Sequence, residues 1–563
     1  LKKTIPHKKN KLHHKIGKVV KRTIDAKTLV ATVLGGLLVL IVSLASNYLL
    51  EEKRAKEDTL RQANLDIQTA DNLYQQGGDL SEPIRYYKEA LSRLSKKEDA
   101  QIYADAETGL ALCYLKTAQK GKTSENAQQA VDALKDVMGL FKSLYGKDPQ
   151  SADRVKISRV ISELADSLSI LSDIKEKVPY LEECIELHTT ALRVSSDRKD
   201  PDLSATIQMD LGKEYMKLAE EKDKADNLRK ALDADREALR YFTPREHPKE
   251  FAIVSNSVGE AFINLSESYD PEPNVKNALG AYEQALKVAT LESDPDGYAM
   301  TQLNIGDALL HYHGFHNNNG ILAKALRSFQ NALLIYKEDS SPFNYATIQT
   351  DTGNTYCALF EATHKTLYLD RALAAENDAL RIFKADTFPY NYALLKLNIG
   401  NVYTYYASSG SPLENYKKAI ENYLDGLNVC TLDRYPYEYA KLTNNVSSVY
   451  GRLALLEDKE KNLATAIQAS LESLKVWTLD RYPLDYALAQ ANLGDHYQVL
   501  WISGGKELFR SLTLKAFQEA ELVYQKENLA EKAREIRQRI NQLQKAPLVE
   551  PAPSLTPGTG TAS

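Results

Sequence analysis

Asn398-Ile399-Gly400-Asn401-Val402-Tyr403 is the phrase on which the reading of this chain turns. Forty-seven residues upstream it returns as Asp351-Thr352-Gly353-Asn354-Thr355-Tyr356, and 47 before that as Asn304-Ile305-Gly306-Asp307. Fainter copies stand at Val258-Gly259-Glu260 and Leu211-Gly212-Lys213, and downstream copies at Asn445-Val446-Ser447-Ser448-Val449-Tyr450 and Asn492-Leu493-Gly494-Asp495-His496-Tyr497. A proline keeps the same beat at Pro201, Pro248, Pro295, Pro342, Pro389, Pro436 and Pro483. So does an aromatic at Phe251, Tyr298, Tyr345, Tyr392, Tyr439 and Tyr486. Self-similarity at a fixed period of about 20 to 50 residues predicts stacked units that bury a shared core.

Each unit repeats one internal logic. The proline predicts the start of a first helix, where its missing N–H is no loss and its φ is already helical. Glu438 and Asp485 just behind it suit the positive end of the helix dipole. A mid-helix glycine is about 1 kcal/mol worse than alanine, yet it recurs at one place in nearly every unit. The common cause predicted is a neighbouring helix crossing too closely for a Cβ. The second helix carries small-large pairs, Ala372-Leu373 with Ala379-Leu380, Ala325-Leu326 with Ala332-Leu333, and Ala466-Ile467 with Ser473-Leu474. Their i, i+1, i+7, i+8 spacing is one helix face, and that face needs a neighbour.

The phrase at 398–403, followed by Ala419-Ile420, Tyr423 and Gly426-Leu427, resembles the tetratricopeptide repeat. The usual period of that family is about 34. The 47-residue beat and the Tyr-Pro-x-Asp/Glu-Tyr-Ala lead-in at 435–440 and 482–487 resemble a long-period bacterial variant sometimes found before CHAT peptidase domains. Eighteen residues follow Lys545, so no such domain is expected there. The resemblance implies an all-α, right-handed α-solenoid of about ten helix pairs over 60–525, and a non-catalytic surface for protein or peptide partners. It also implies that the residue after each small residue faces a concave groove. That ladder is Lys213, Glu260, Asp307, Asn354, Asn401, Ser448 and Asp495. A column of amides and acids hydrogen-bonds an extended peptide or a helix, and its acids favour a basic ligand; a solvated face without a ligand reads equally from it. The aromatic ladder reads as core between repeats.

The ends differ in kind. Residues 1–27 carry ten Lys/Arg against Asp25, a local charge of +9 within a formal total of −5. The acidic remainder argues against a nucleic-acid-binding array. Residues 28–50 hold no charge, and 23 helical residues reach about 34 Å, enough to cross a hydrocarbon core of about 30 Å. The lysine excess predicts a cytoplasmic basic tail, a transmembrane anchor and an extracytoplasmic array, with the tail on anionic headgroups. Ser43-Leu44-Ala45 leaves a cleaved signal peptide as the alternative, and the length of the apolar run favours an anchor. Leu1 in place of an initiator Met reads as a fragment or an unusual start. A juxtamembrane helix is expected at 51–59, a capping helix at 526–545 with Leu529, Ala533, Ile536, Ile540 and Leu543 on one face, and a disordered tail at 546–563.

Little else carries chemistry. Gly121-Lys122-Thr123 lacks the first glycine and the strand of a P-loop, and reads as an interhelix loop. His311, His313 and His316 form the one metal-like cluster weighed; His7, His13 and His14 read as solvated. Cys113, Cys184, Cys357 and Cys430 are far apart and read as core thiols. No cofactor, metal or catalytic residue is expected. The alternatives are a cytoplasm-facing adaptor that recruits an enzyme to the membrane, and a divergent hydrolase or metal protein.

Overall fold

In the computed structural model the described residues are 9–121, 123–145, 153–174, 177–195, 200–267, 270–316, 318–504 and 506–546, with side chains described for 31 and from 33 onward. Residues 1–8, Lys122, Asn317 and, of the tail predicted at 546–563, residues 547–563 lie outside them. Among the described residues the chain is helical throughout, with 21 helices and no strand. It divides into two compact units, 1–241 and 242–563.

The first unit holds α1(Lys9–Gln76), α2(Ser81–Arg93), α3(Ala100–Gly121), α4(Ser124–Tyr145), α5(Arg154–Ser172), α6(Lys177–Val194), α7(Pro201–Glu221) and α8(Lys224–Ala238). They pack as four successive pairs. Only the last turns of the long α1 enter the first pair, where Ala63 and Ala70 are fully buried against Tyr87, Ala90 and Cys113. Earlier in α1 lies the one described segment apolar and long enough to cross a membrane. Its side chains from Val33 to Leu50 are all exposed, so the rest of the chain covers none of them.

The second unit holds α9(Pro248–Ser266), α10(Pro271–Ala285), α11(Pro295–His316), α12(Asn319–Ala332), α13(Pro342–Thr363), α14(Leu367–Ala379), α15(Pro389–Ser409), α16(Pro412–Val429), α17(Pro436–Leu453), α18(Lys459–Ser473), α19(Pro483–Gly504), α20(Glu507–Lys526) and α21(Ala530–Lys545). These form six pairs and a final single helix. Ala533, Ile536, Ile540 and Leu543 of α21 are buried in one cluster with Phe517 and Trp501. The beat prolines from Pro201 to Pro483 each open a first helix. The turn between the helices of a pair has its own beat: Asp223, Asp270, His364, Ser411 and Asp458, all 47 or a multiple apart, take positive φ between 38° and 55°. Aspartate and serine adopt this left-handed conformation in place of glycine.

Within each unit, successive first helices touch one another, while among the described residues second helices make no comparable contact. First helices therefore line the inner side of each curve. Alanine lets each first helix approach its own second helix: Ala252, Ala299, Ala346, Ala393, Ala440 and Ala487, each following a beat aromatic, are at most 2 % exposed, and Ala252 clusters with Ala285, Ala299 with Ala332, Ala346 with Ala379 and Ala487 with Ala520. The aromatics themselves are half-buried, with Tyr439 and Tyr486 packed on the flanks of core clusters and their hydroxyl ends reaching out of them. The Tyr486 hydroxyl reaches Glu519 on the second helix of its own pair.

The recurrent glycine is explained by what fills its notch. A Cβ on Gly212, Gly259, Gly306, Gly353, Gly400 or Gly494 would lie closer than 3.0 Å to the side chain 23 residues later, respectively Asp235, Tyr282, Phe329, Glu376, Tyr423 and Phe517. Ser447 occupies this position in one unit and hydrogen-bonds Ser470, also 23 residues on, at 2.6 Å. Gly400→Ala should thus destabilise by about 1–3 kcal/mol through overpacking against Tyr423, although alanine is the better helix former. Gly280→Ala in α10, where a Cβ meets nothing within 4 Å, should stabilise by about 0.5–1 kcal/mol. Urea melts of the two variants check this opposite sign.

Candidate functional site

The ladder predicted from the sequence lies along the inner first helices, at the seam between consecutive ones. Lys213 and Glu260 are exposed, while Asp307, Asn354, Asn401, Ser448 and Asp495 are half-buried. Several are committed to the protein itself. Asn401 Oδ1 accepts from Tyr423 Oη at 2.7 Å and from Asn445 Nδ2 at 3.0 Å. Asp495 pairs with Arg539, whose guanidinium lies 4.3 Å from the centre of the Phe517 ring. Lys213 Nζ sits 2.9 Å from Asp210 Oδ1 on its own helix.

The contacts of Asn401 and Asp495 share one arithmetic. A ladder residue on a first helix meets the residue 22 later on its second helix and the residue 44 later on the next first helix. Asn401, Tyr423 and Asn445 form one such triad, and Asp495, Phe517 and Arg539 another. Sequence reading found the first member of each triad and missed the other two. The 47-residue beat was visible, but the 22- and 44-residue offsets follow from how three helices meet.

Acids gather in this column. The Asp307 and Asp351 carboxyls, 44 residues apart, face each other closely enough to perturb one another. Burial first, then the facing acid, pushes Asp307 well above the ordinary carboxylate range. Burial raises Asp351 to about 7, against the opposing effect of the facing Asp307. Glu376, fully buried against Gly353, is likewise raised well above the usual range by burial. His496, beside Gly451 and 2.8 Å from Ser447 Oγ, is lowered to about 4 by burial.

In the first unit the same registers bring Asp166, His188 and Asp210 together, with one donor atom of each within 4.8 Å of the others. His188 is fully buried; its Nδ1 lies 3.0 Å from Glu214 Oε2, and its Nε2 lies 3.2 Å from Ser162 Oγ and 3.7 Å from Asp166 Oδ1. Burial alone would lower this imidazole, but the Glu214 hydrogen bond and the surrounding carboxylates raise it to about 9. Burial and the facing Asp210 raise Asp166 to about 7. The sequence signal was available: one further 47-residue step upstream from Lys213 lands on Asp166, beside the Ala165 that replaces glycine.

The other sequence candidates do not assemble. His311, His313 and His316 end α11 without converging: His316 Nε2 lies 3.1 Å from Glu272 Oε1 and His313 Nδ1 lies 3.3 Å from the Asn318 carbonyl. The acid beside His316 comes from α10. Gly121 and Thr123 flank an interhelix turn whose Lys122 lies outside the described residues. Side chains of His13 and His14, and all of His7, also lie outside them. Cys113, Cys184 and Cys430 are buried and Cys357 half-buried; burial pushes the Cys113, Cys357 and Cys430 thiols up to about 12, away from reactive thiolate.

The Asp307–Asp351 pair sets a pH dependence. The native state keeps a proton to about pH 7 that an unfolded aspartate releases near 3.9, so stability falls as pH rises through that window. Asp351→Asn should melt above the unsubstituted protein at pH 8, and the difference should shrink towards pH 4. Thermal unfolding across that range measures it; a difference independent of pH would contradict the assignment.

No family model matches the chain, and no curated protein matches it. Among solved structures it is similar to a signal-transduction ATPase with a tetratricopeptide repeat sensor from Pyrococcus horikoshii, at 14% identity and a TM-score of 0.47, covering 85% of this chain and 65% of that one. The chain thus spans slightly less than two thirds of that protein's length. It is also similar to a Rap protein complexed with competence and sporulation factor, at 13% identity, TM-score 0.40, covering 69% and 98%. A third is a monomeric mutant of IFIT1 with Gppp-AAAA, at 16% identity, TM-score 0.40, covering 85% and 90%. Paired helices, the small residue set into each first helix and the 47-residue beat make the present chain a tetratricopeptide-like helical repeat protein.

Proposed function

We propose that this chain is a membrane-tethered scaffold that engages other polypeptides through the inner faces of its stacked first helices and catalyses no reaction. The observation that carries the binding reading is the polar column itself. A polar residue is placed at the same inner register in unit after unit, and some of these side chains, such as those of Glu260 and Asn354, keep surface open to solvent. Amides and acids at a spacing set by the helices offer hydrogen bonds to an extended backbone and charge to basic side chains.

The tether rests on the segment from Val33 to Leu50, apolar and exposed on every side. Exposed apolar surface of this extent is stable in lipid and not in water. The lysine-rich stretch before it favours a cytoplasmic N-terminus, which puts the helical pairs on the outer side of the membrane. A protease added to intact cells should digest the pairs. Protection that is lost only on lysis would instead favour the adaptor that faces the cytoplasm.

The partner class is tested by placing a photo-crosslinking residue at Asn354, on the inner seam, or at Asn377, exposed on the second helix α14. Adducts from 354 that a protease removes, and none from 377, are expected. Equal labelling at both positions, or adducts removed by nuclease, would contradict a polypeptide partner on the inner face.

A further inference from the structure

We propose that Asp166, His188 and Asp210 bind a divalent transition-metal cation of the zinc type, which staples α5, α6 and α7 together. Three features carry this. First, one nitrogen and two carboxylate oxygens converge within 4.8 Å, each from a different helix. Second, the imidazole is already oriented: Glu214 Oε2 lies 3.0 Å from Nδ1, and Nε2 faces Ser162 Oγ at 3.2 Å and Asp166 Oδ1 at 3.7 Å, so that a cation takes the place of the Ser162 contact. Histidine ligands in metal sites are oriented in this way by a carboxylate on the other ring nitrogen. Third, the same registers elsewhere are filled by Asn401, Tyr423 and Asn445, or by Asp495, Phe517 and Arg539, which close the seam with hydrogen bonds or an ion pair. Among the described residues, only here do three donors of a metal meet.

The donor set selects the cation. Two carboxylates balance a charge of +2, and an imidazole nitrogen favours Zn²⁺ over Mg²⁺ and Ca²⁺, which prefer oxygen alone. Lys213, 2.9 Å from Asp210 and about half exposed, is the competitor a cation displaces. Its exposed stem leaves it free to swing into solvent. The site is independent of the polypeptide-binding reading, because it lies between helices whether or not a ligand is engaged.

The test uses the full chain in detergent with His7, His13 and His14 replaced by alanine, stripped with chelator and titrated with Zn²⁺ by calorimetry. One equivalent should bind, and Mg²⁺ should not compete. Asp166→Asn with Asp210→Asn should abolish binding while far-UV circular dichroism stays helical. Glu214→Gln keeps all three donors and should weaken binding by about 10- to 100-fold; it carries the test should the double variant not fold. Lys213→Met should tighten binding several-fold. Absence of stoichiometric Zn²⁺, unchanged affinity in Glu214→Gln, or weaker binding in Lys213→Met would overturn the proposal and leave His188 as an imidazolium clamped between Glu214 and Asp166.

Discussion

One close approach sets the geometry of this protein: the side chain that a second helix drives into the notch of its first helix. Where Gly400 lacks a Cβ, Tyr423 lies in the space a methyl group would occupy, and Phe329 does the same at Gly306. Burying a large ring at such a notch fixes the rotation and height of the two helices together, since neither can turn without opening a void or a clash. Burial of the small faces then follows, with Ala372, Ala379, Ala419 and Ala466 fully covered. The glycine is tolerated in mid-helix because packing gains more than helix propensity loses.

From that register comes the column on the inner face. Once first and second helices are locked, residues 22 and 44 apart must meet at each seam, whatever their chemistry. The chain has filled the meeting points differently. An amide and a phenol close one seam, an arginine over a phenylalanine ring another, two facing carboxyls a third, and a histidine between acids a fourth. Buried carboxyls are held neutral by desolvation, so the Asp307–Asp351 seam is tuned by pH while the Asn401 seam is not. Polar groups at a buried seam need partners, and the repeat supplies those partners at fixed offsets. The ladder expected to greet a ligand is therefore partly spent in holding the helices. What it offers a partner is the remaining open surface on residues such as Glu260 and Asn354.

Individual residues show how far each kind of inference reached. Pro436 as the first residue of a helix was legible, because its fixed φ and missing N–H are local properties. Gly400 as a place of close approach was legible as well, because an unfavourable residue repeated at one phase demands a cause. The beat tyrosines were read only in part. A large amphipathic ring is compatible with core or rim, and only the location of Glu519 shows that Tyr486 sits at the rim. The histidines at the end of α11 drew attention through closeness in sequence, yet His316 turns to Glu272 and His313 to the Asn318 carbonyl. His188 drew none, since the residues that surround it are 22 positions away on either side.

Period, helix starts, the small-residue face and the apolar segment near the N-terminus were set by the sequence alone, because each is a pattern along one helix or a copy of one. Which side chains face each other across a seam, which acids lose their charge, and where three metal donors converge were decided only when the helices packed. The physical reason is that periodicity specifies a phase on each helix, whereas contact between helices depends on their rotation and separation. Those two quantities are fixed by the volumes that must fit together in the notch.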